Sequence, residues 1–181
     1  PHCGIVDISH QILPFNLQQA AYIFRSAYLY FPAGTIHFIL CDLHSSLNKQ
    51  LLYVYENGQH IFCADNGLLT LLFDDRPIQI FKLKDVAKPY HYLNIMDQFI
   101  HNAAMILDGL RPNVESVSVN NVMVKRPSFA FESNNTLEVQ VLYIDTYGNI
   151  ILNVSRNAFI DFGRGRGFRI LFMRDEEITT I

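Results

Sequence analysis

Several chemically active side chains lie together in the stretch CDLHSSLNKQ, residues 41–50, which follows the apolar run TIHFIL. They are a carboxylate, an imidazole, two hydroxyls and an ammonium: Asp42, His44, Ser45, Ser46 and Lys49. A Ser-His-Asp relay is one interpretation, but its members usually come from different elements, and neighbours in one loop cannot easily point at one another. The loop is otherwise a polar connection without a chemical role, or a binding or catalytic loop in which Asp42 is the main group.

A second constellation lies in YIDTYGNIILN, residues 143–153, where Asp145 and Asn149 bracket Tyr147 and Gly148. Asp and Asn favour turns because their side chains hydrogen-bond their own backbone. The segment is therefore either an ordinary hairpin turn or a carboxylate and amide pair held out for a ligand.

The segment FGRGRGFR, residues 162–169, alternates Gly with Arg and could cradle a phosphate or lie along a single-stranded nucleic acid. It lacks the preceding strand and following helix of a nucleotide-binding fingerprint, and we favour a flexible basic turn between two strands. The seven His residues show no HxH or HExxH spacing, so we expect no metal site.

The bulk composition suits a globular chain with a core, since half of its 181 residues are hydrophobic and 14 Phe and 9 Tyr are present. The net charge of −3 argues against nucleic acid or anionic lipid as a partner. No apolar run reaches the roughly 18 residues of a membrane span. Three Cys without a CxxC pair indicate reduced thiols and a cytoplasmic location. Both ends are abrupt, and we expect a piece of a longer chain.

The elements that must position these groups begin with GIVDIS (4–9), which predicts a short buried strand. A helix then starts at an Asn16 cap with Gln19 three residues on, and TIHFIL (35–40) predicts the next strand. Strand, helix and strand in this order form a βαβ unit, which favours a parallel sheet. The 41–50 loop would then leave its strand at the carboxyl end, where ligands bind in open α/β sheets.

Further along, Asn57-Gly58 between two β-rich runs predicts a hairpin, and IQIFKL predicts another strand. MDQFIHNAAMILDG predicts a helix that is closed by Asp108-Gly109. After Pro112 the sequence consists of short β-type runs with little helical periodicity. We therefore predict an α/β domain over residues 1–112, with a mainly parallel sheet flanked by helices, and a linker with the start of a smaller β domain over 113–181.

Four segments in this order resemble the S-adenosylmethionine hydroxide adenosyltransferase family, the relatives of fluorinase and chlorinase. They are IVDISHQILPFNLQQAAYIF, YFPAGTIHFILCD, ADNGLLT and IDTYGNIILNV. The resemblance implies an α/β domain joined to a C-terminal β-barrel, incomplete here. It also implies a homotrimer that holds S-adenosylmethionine (SAM) between one subunit's α/β domain and its neighbour's barrel.

Members of this family typically hydrolyse SAM to adenosine and methionine by delivering hydroxide to the ribose C5′. The resemblance implies SAM as a substrate and no separate cofactor. Because the sulfonium is already a good leaving group, catalysis needs mainly a positioned, partly deprotonated water in an enclosed pocket.

On the catalytic side, the family's Asp-Arg-His set carries over to Asp42, Lys49 and Asn94. The family's Gly-rich path after the Asp is replaced by residues 43–46, Lys49 loses the planar fork of an Arg, and Asn94 cannot exchange a proton near neutral pH. His44 could take over the role of the missing His by another route.

On the binding side, Phe15 stands where the family often has an aromatic residue near the ligand. Asp145 and Asn149 match the pair that grips the methionine amino and carboxylate groups, and Tyr147 matches a Phe that packs on the ligand. The family's N-terminal Thr-Asp-Phe-Gly block and the last part of its barrel are missing. The sequence thus predicts a SAM hydrolase with a divergent site, alternatively an inactive member that binds SAM, adenosine or a related ligand, or a purely structural trimer.

Overall fold

The computed structural model describes residues 3–45, 50–73, 78–85, 91–126, 130–133, 135–172 and 176–178. The chain forms two compact units, Pro1–Pro127 and Ser128–Ile181. The first unit is a sheet flanked by helices, and the second contains short antiparallel hairpins. This mixed α/β architecture confirms the predicted fold class. None of the helices in the described ranges is long and apolar enough to cross a membrane.

The first unit contains three α-helices and five strands among its described residues: α1 (Leu17–Ala27), β1 (Ile36–Ile39), β2 (Leu51–Glu56), β3 (Gln59–Ala64), α2 (Leu68–Phe73), β4 (Ile80–Leu83), α3 (Tyr92–Leu107) and β5 (Val114–Val117). The second unit contains β6 (Phe131–Ser133), β7 (Thr136–Glu138), β8 (Val141–Ile144), β9 (Ile150–Leu152), α4 (Arg156–Gly163), β10 (Ile170–Phe172) and β11 (Glu176–Ile178). Strand β5, which follows the predicted boundary at 112/113, pairs with β4 in the first unit.

Helix α1 begins where the sequence predicts. The Asn16 side chain accepts a hydrogen bond from the backbone N–H of Gln19 at 3.0 Å and so caps the first turn. The Gln19 side chain does not complete a capping box. Its amide instead accepts from the Leu13 N–H at 2.8 Å and donates to the Gln11 carbonyl at 3.2 Å, which secures the chain entering the helix.

The sheet has the strand order β1-β3-β2-β4-β5. Among the described strands of this sheet, β1 and β3 are the only parallel pair; the β2–β3, β2–β4 and β4–β5 pairs are antiparallel. The prediction of a mainly parallel sheet was therefore wrong. The antiparallel pairing of β2 and β3 results from the hairpin that the sequence also predicted. Asn57 and Gly58 adopt φ of 51° and 75° and turn the chain directly from β2 into β3.

The predicted strand over residues 4–9 is also absent. This segment is irregular, and Ile5 and Val6 are 92% and 68% exposed. A β-type sequence becomes a strand only when its backbone pairs with a neighbour. Within the described residues β1 pairs with β3 alone, and the predicted strand before α1 does not join the sheet.

The sheet is covered on both faces because alternate residues of its strands enter two apolar clusters. Leu52 and Val54 of β2 belong to the cluster with α1 and α2, whereas Leu51 and Tyr53 belong to the cluster with α3. The ring of Phe99 on α3 lies 5.6 Å from that of Phe62 and stacks on Phe38 of β1 at 5.9 Å. The strand that leads to Asp42 is thus held from both sides.

The second unit has three two-stranded antiparallel sheets, β6–β7, β8–β9 and β10–β11, where the resemblance implied a barrel-like domain. Among the described residues the strands pair two by two rather than closing a barrel. Helix α4 lies between β9 and β10, so the basic segment 162–169 is not a turn between two strands. The Arg166 guanidinium donates to the carbonyls of Phe162 at 2.7 Å and Gly163 at 3.0 Å, and these bonds end the helix.

Candidate active site at the end of strand β1

The turn after β1 holds Asp42 in an unusual backbone conformation. Its φ of 50° lies in the left-handed region, which Asp tolerates better than most residues because its short polar side chain can hydrogen-bond locally. Asp42 is half-buried, and the Ser45 hydroxyl donates to its Oδ1 at 2.5 Å. Ser45 therefore contacts the carboxylate directly, without the intervening imidazole that a Ser-His-Asp relay requires.

Asn66 fixes this turn from another element. It lies between β3 and α2, is 1% exposed, and donates its amide hydrogens to the carbonyls of Cys41 at 2.9 Å and Asp42 at 3.0 Å. Its Oδ1 accepts from the Leu68 N–H at 3.1 Å. Two bonds of this buried side chain thus hold the Cys41–Asp42 backbone, and the third joins it to the start of α2. We did not single out Asn66 from the sequence; the signal was its place just after the strand that pairs in parallel with β1.

Asp65 anchors a further segment to the same end of the sheet. It is 2% exposed and its Oδ1 accepts from the Met123 N–H at 2.7 Å. Burial raises the pKa of the Asp65 carboxyl, and the hydrogen bond from Met123 offsets only part of this rise. The buried carboxylate attaches residues 122–126 to the turn that carries Asn66.

Thr70 and Gly67 then place Lys125. The Thr70 hydroxyl accepts from the Lys125 N–H at 2.9 Å and lies 2.8 Å from the Lys125 carbonyl oxygen. Gly67 has a φ of 90°, and a Cβ added there would come within 2.6 Å of Lys125 Cγ. The lysine stem therefore lies flat on the glycine. No sequence motif indicated Lys125, because it is 55 residues away from Thr70 along the chain.

Phe15 lies beside a cavity of ≈ 460 Å³ at the start of α1. Its φ is 63° and its side chain is 73% exposed. The cavity is lined by Pro14, Phe15, Asn16, Leu17, Gln18, Leu71, Lys125 and Arg126. Phe15 and Lys125 thus line one cavity. The predicted contact of Phe15 with a ligand stays a prediction.

The other two predicted catalytic residues are Asn94 and Lys49. Asn94 is half-buried in the first turn of α3, and its neighbour Ile95 belongs to the apolar cluster that also contains Leu43, next to Asp42. Lys49 lies outside the described residues. The roles of both stay predictions.

In the second unit, Asp145 and Asn149 form the hairpin turn between β8 and β9. The Asp145 Oδ1 accepts from the N–H groups of Tyr147 at 2.9 Å and Asn149 at 2.8 Å, and its Oδ2 accepts from the Asn149 amide at 2.7 Å. The bond from the Asn149 side chain is the main reason why the pKa of Asp145 is lowered. Tyr147 is 90% exposed. The hairpin interpretation is confirmed, and the ligand contacts of these three residues stay predictions.

Residues 1–117 match the family model of the SAM hydroxide adenosyltransferase N-terminal domain. The chain belongs to the SAM hydroxide adenosyltransferase family. An (R)-S-adenosyl-L-methionine hydrolase of Methanocaldococcus jannaschii is 27% identical over 155 residues, which are 84% of this chain and 55% of that protein. The chain thus spans about half the length of this curated relative.

Solved structures share the fold of this SAM hydroxide adenosyltransferase family member. An uncharacterized conserved protein from Thermotoga maritima superposes with a TM-score of 0.77 at 20% identity, over 97% of this chain and 70% of that chain. A conserved hypothetical protein from Thermus thermophilus superposes with a TM-score of 0.58 at 26% identity, over 82% of this chain and 59% of that chain. The first likeness supports the fold alone.

Proposed function

We propose that this family member hydrolyses SAM to adenosine and methionine. An oxygen of water, partly deprotonated, forms a bond to the ribose C5′, the C5′–S bond breaks, and its electron pair stays on the methionine sulfur. The water loses one proton to solvent. The observation that carries the proposal is the half-buried Asp42, whose strained backbone is clamped by Asn66 at the carboxyl end of β1.

A clamped carboxylate suits this chemistry because the leaving group needs no activation and the main requirement is a water held in line with the C5′–S bond. Ser45 bonds Oδ1 of Asp42. We assign Oδ2 to the attacking water, which it would orient and whose developing positive charge it would stabilise. Lys49 and Asn94 are the proposed cationic partner and water-holder.

On the binding side, Phe15, Asp145, Tyr147 and Asn149 are the proposed substrate contacts. The family resemblance supports a homotrimer with the substrate between subunits, and the reaction needs no cofactor. The cysteines in the described residues, Cys3, Cys41 and Cys63, are unpaired, which suits a cytoplasmic protein.

The test is to incubate the full-length protein that contains this chain with SAM and to follow adenosine by chromatography. Asp42→Asn keeps a residue that tolerates positive φ but removes the carboxylate, and adenosine release should fall about a hundredfold or more. Asp85→Asn is the matched control, because Asp85 also has a positive φ of 54° and lies outside the proposed site. Adenosine release by wild type at no more than the rate without protein would refute the hydrolase, and equal release by wild type and Asp42→Asn above that rate would refute the role of Asp42.

The second candidate function is binding without catalysis. It is favoured by Asn94, which occupies the position of a proton-exchanging residue and cannot titrate near neutral pH. A calorimetric titration with SAM and with adenosine separates the two hypotheses. Binding with no adenosine formed above the Asp42→Asn level would establish the inactive binder, and the absence of both binding and turnover would exclude both functions.

A further inference from the structure

The cavity at the start of α1 brings together an aromatic ring and two positive charges. Phe15, Lys125 and Arg126 all line it. No acidic side chain is among the described residues that line it. Its volume of ≈ 460 Å³ falls within the range of about 300–1,000 Å³ that is usual for small-molecule sites.

Lys125 is exposed, but its backbone is hydrogen-bonded and its stem packs on Gly67. Its backbone N–H donates to the Thr70 hydroxyl at 2.9 Å, and its stem lies on Gly67, where even a methyl group would come within 2.6 Å of Cγ. A lysine whose stem is fixed loses less conformational freedom when its ammonium binds a ligand. The neighbouring Arg126 adds a planar fork of donors.

The charge of Lys125 also acts on the candidate active site. Burial raises the pKa of the Cys41 thiol and the charge of Asp42 raises it further, whereas the charge of Lys125 lowers it. Electrostatic effects of this kind weaken with distance. Cys41 immediately precedes Asp42, so the charge of Lys125 acts on the residue next to Asp42.

Lys125 and Arg126 both line this cavity, so an anionic group inside it is attracted by two positive charges. Carboxylate and phosphate are the groups whose oxygens match an ammonium and a guanidinium. A sulfonium, by contrast, would be repelled. The charge therefore selects the anionic part of a ligand, and the exposed Phe15 ring offers a surface for an apolar or planar part.

We propose that this cavity binds a carboxylate or phosphate group of the ligand through Lys125 and Arg126, with Phe15 packing against its uncharged part. This proposal rests on the proposed function in one respect: the adenosine part of the ligand is taken from it. If the oxyanion is a carboxylate, SAM itself supplies it from its methionine end. If it is a phosphate, the ligand is an adenine nucleotide.

The test is a set of calorimetric titrations of the full-length protein with adenosine, adenosine 5′-monophosphate and SAM. Adenosine is the uncharged reference, and the other two probes carry the phosphate and the carboxylate. Lys125→Gln and Arg126→Gln each remove one cation from the cavity. Arg111→Gln, at an exposed position after α3 that does not line the cavity, is the matched control for the loss of one positive charge.

We expect wild type and Arg111→Gln to bind one of the two probes that carry an oxyanion, the monophosphate or SAM, more tightly than adenosine. Lys125→Gln and Arg126→Gln should each weaken that binding about tenfold and leave the affinity for adenosine unchanged. Preference for the monophosphate assigns a phosphate site, and preference for SAM assigns a carboxylate site. Equal affinities for all three probes, or equal affinities of wild type and both variants, would overturn the proposal.

The two proposals fail in different ways. We call the cavity lined by Lys125 and Arg126 the oxyanion site. If the monophosphate or SAM binds through Lys125 but no adenosine is formed from SAM, the oxyanion site stands and the hydrolase falls. If adenosine is formed at the same rate and KM by wild type, Lys125→Gln and Arg126→Gln, and all three bind the monophosphate equally well, the hydrolase stands and the oxyanion site falls.

Discussion

Asp42 and Asp145 each follow a β-strand and each lie beside an asparagine, yet the two carboxylates are held in different ways. The backbone of Asp42 is clamped by Asn66, a buried residue that is 24 positions away along the chain. Asp145 is held by Tyr147 and Asn149, which belong to its own turn. The first arrangement needs the folded sheet, whereas the second needs only a local hairpin.

This difference bears on what each site can do. Among the described residues, the side chain of Asp145 bonds only within its own turn, so a ligand must replace the bond from the Asn149 amide before it can use both side chains. Asp42 is positioned through its backbone, and among the described residues its carboxylate accepts fewer hydrogen bonds than that of Asp145. Within the described part of the chain only the Ser45 hydroxyl bonds it. Pre-organisation by remote elements is the arrangement that catalysis requires.

The largest expected effect comes from Asn66→Ala. This change removes the donors to the Cys41 and Asp42 carbonyls and the acceptor of the Leu68 N–H, and we expect the free energy of unfolding to fall by about 3 kcal/mol. Urea unfolding followed by circular dichroism measures it.

The matched control is Asn149→Ala in the hairpin. That side chain is exposed and its amide bonds Asp145 in the same turn, so the expected loss is about 0.5 kcal/mol or less. Equal losses in the two variants would mean that Asn66 does not hold the Asp42 turn.

A smaller effect, of opposite sign in the two regions, is expected from replacing each carboxylate by its amide. The pKa of Asp65 is raised by burial, so its ionised form is disfavoured in the folded protein, and stability is lost as pH rises through the folded pKa. Asp65→Asn keeps an acceptor for the Met123 N–H and removes the disfavoured buried charge, so it should raise the free energy of unfolding at pH 7, as measured by urea unfolding.

The hairpin counterpart is Asp145→Asn. The pKa of Asp145 is lowered, first by the Asn149 side chain, so the ionised form stabilises the turn above the unfolded pKa of 3.8. Asp145→Asn should therefore loosen the turn and speed amide exchange at Tyr147 and Asn149. A destabilised Asp65→Asn, or unchanged exchange in Asp145→Asn, would contradict this contrast.

The smallest expected effect is a difference in pH dependence. Burial lowers the pKa of His37 on β1, whose Nε2 donates to Gln59 Oε1 at 2.6 Å, and burial also lowers the pKa of His60. A lowered His pKa gives stability that is present above pH 6.5 and lost as pH falls through the folded pKa. The ionised Asp145 carboxylate, by contrast, contributes its full stabilisation throughout this pH range, because its pKa lies below it.

Amide exchange protection factors between pH values of about 7.5 and 5.5 test this difference, since this window spans the unfolded pKa of His. We expect protection of β1 and β3 to fall while that of β8 and β9 stays constant, measured in an Asp65→Asn background to remove the opposing titration. His37→Gln should flatten the profile, and His101→Gln, a change at an exposed position on α3, should leave it as it is. A fall in protection that is the same in both units would contradict the assignment to buried His residues.

Local patterns were enough to predict several elements. The cap at Asn16, the turn at Asn57-Gly58, and the helix closed at Asp108-Gly109 each depend on residues within a few positions of one another, and all three are confirmed. The strand over residues 4–9 failed although its composition is β-like, because a strand depends on a pairing partner as well as on propensity. Helix α4 was missed because its periodicity is short.

The sequence by itself determined the family, the mixed α/β class, the turn chemistry and the place of Asp42 after the strand β1. Only the tertiary structure decided that the sheet is mostly antiparallel, that Asn66 clamps Asp42, and that Lys125 and Phe15 line one cavity. The physical reason is the separation along the chain of the residues that make each contact. Caps and turns arise from contacts between near neighbours in the chain, whereas Lys125 reaches its place through Thr70, 55 residues away, along a path that no local pattern encodes.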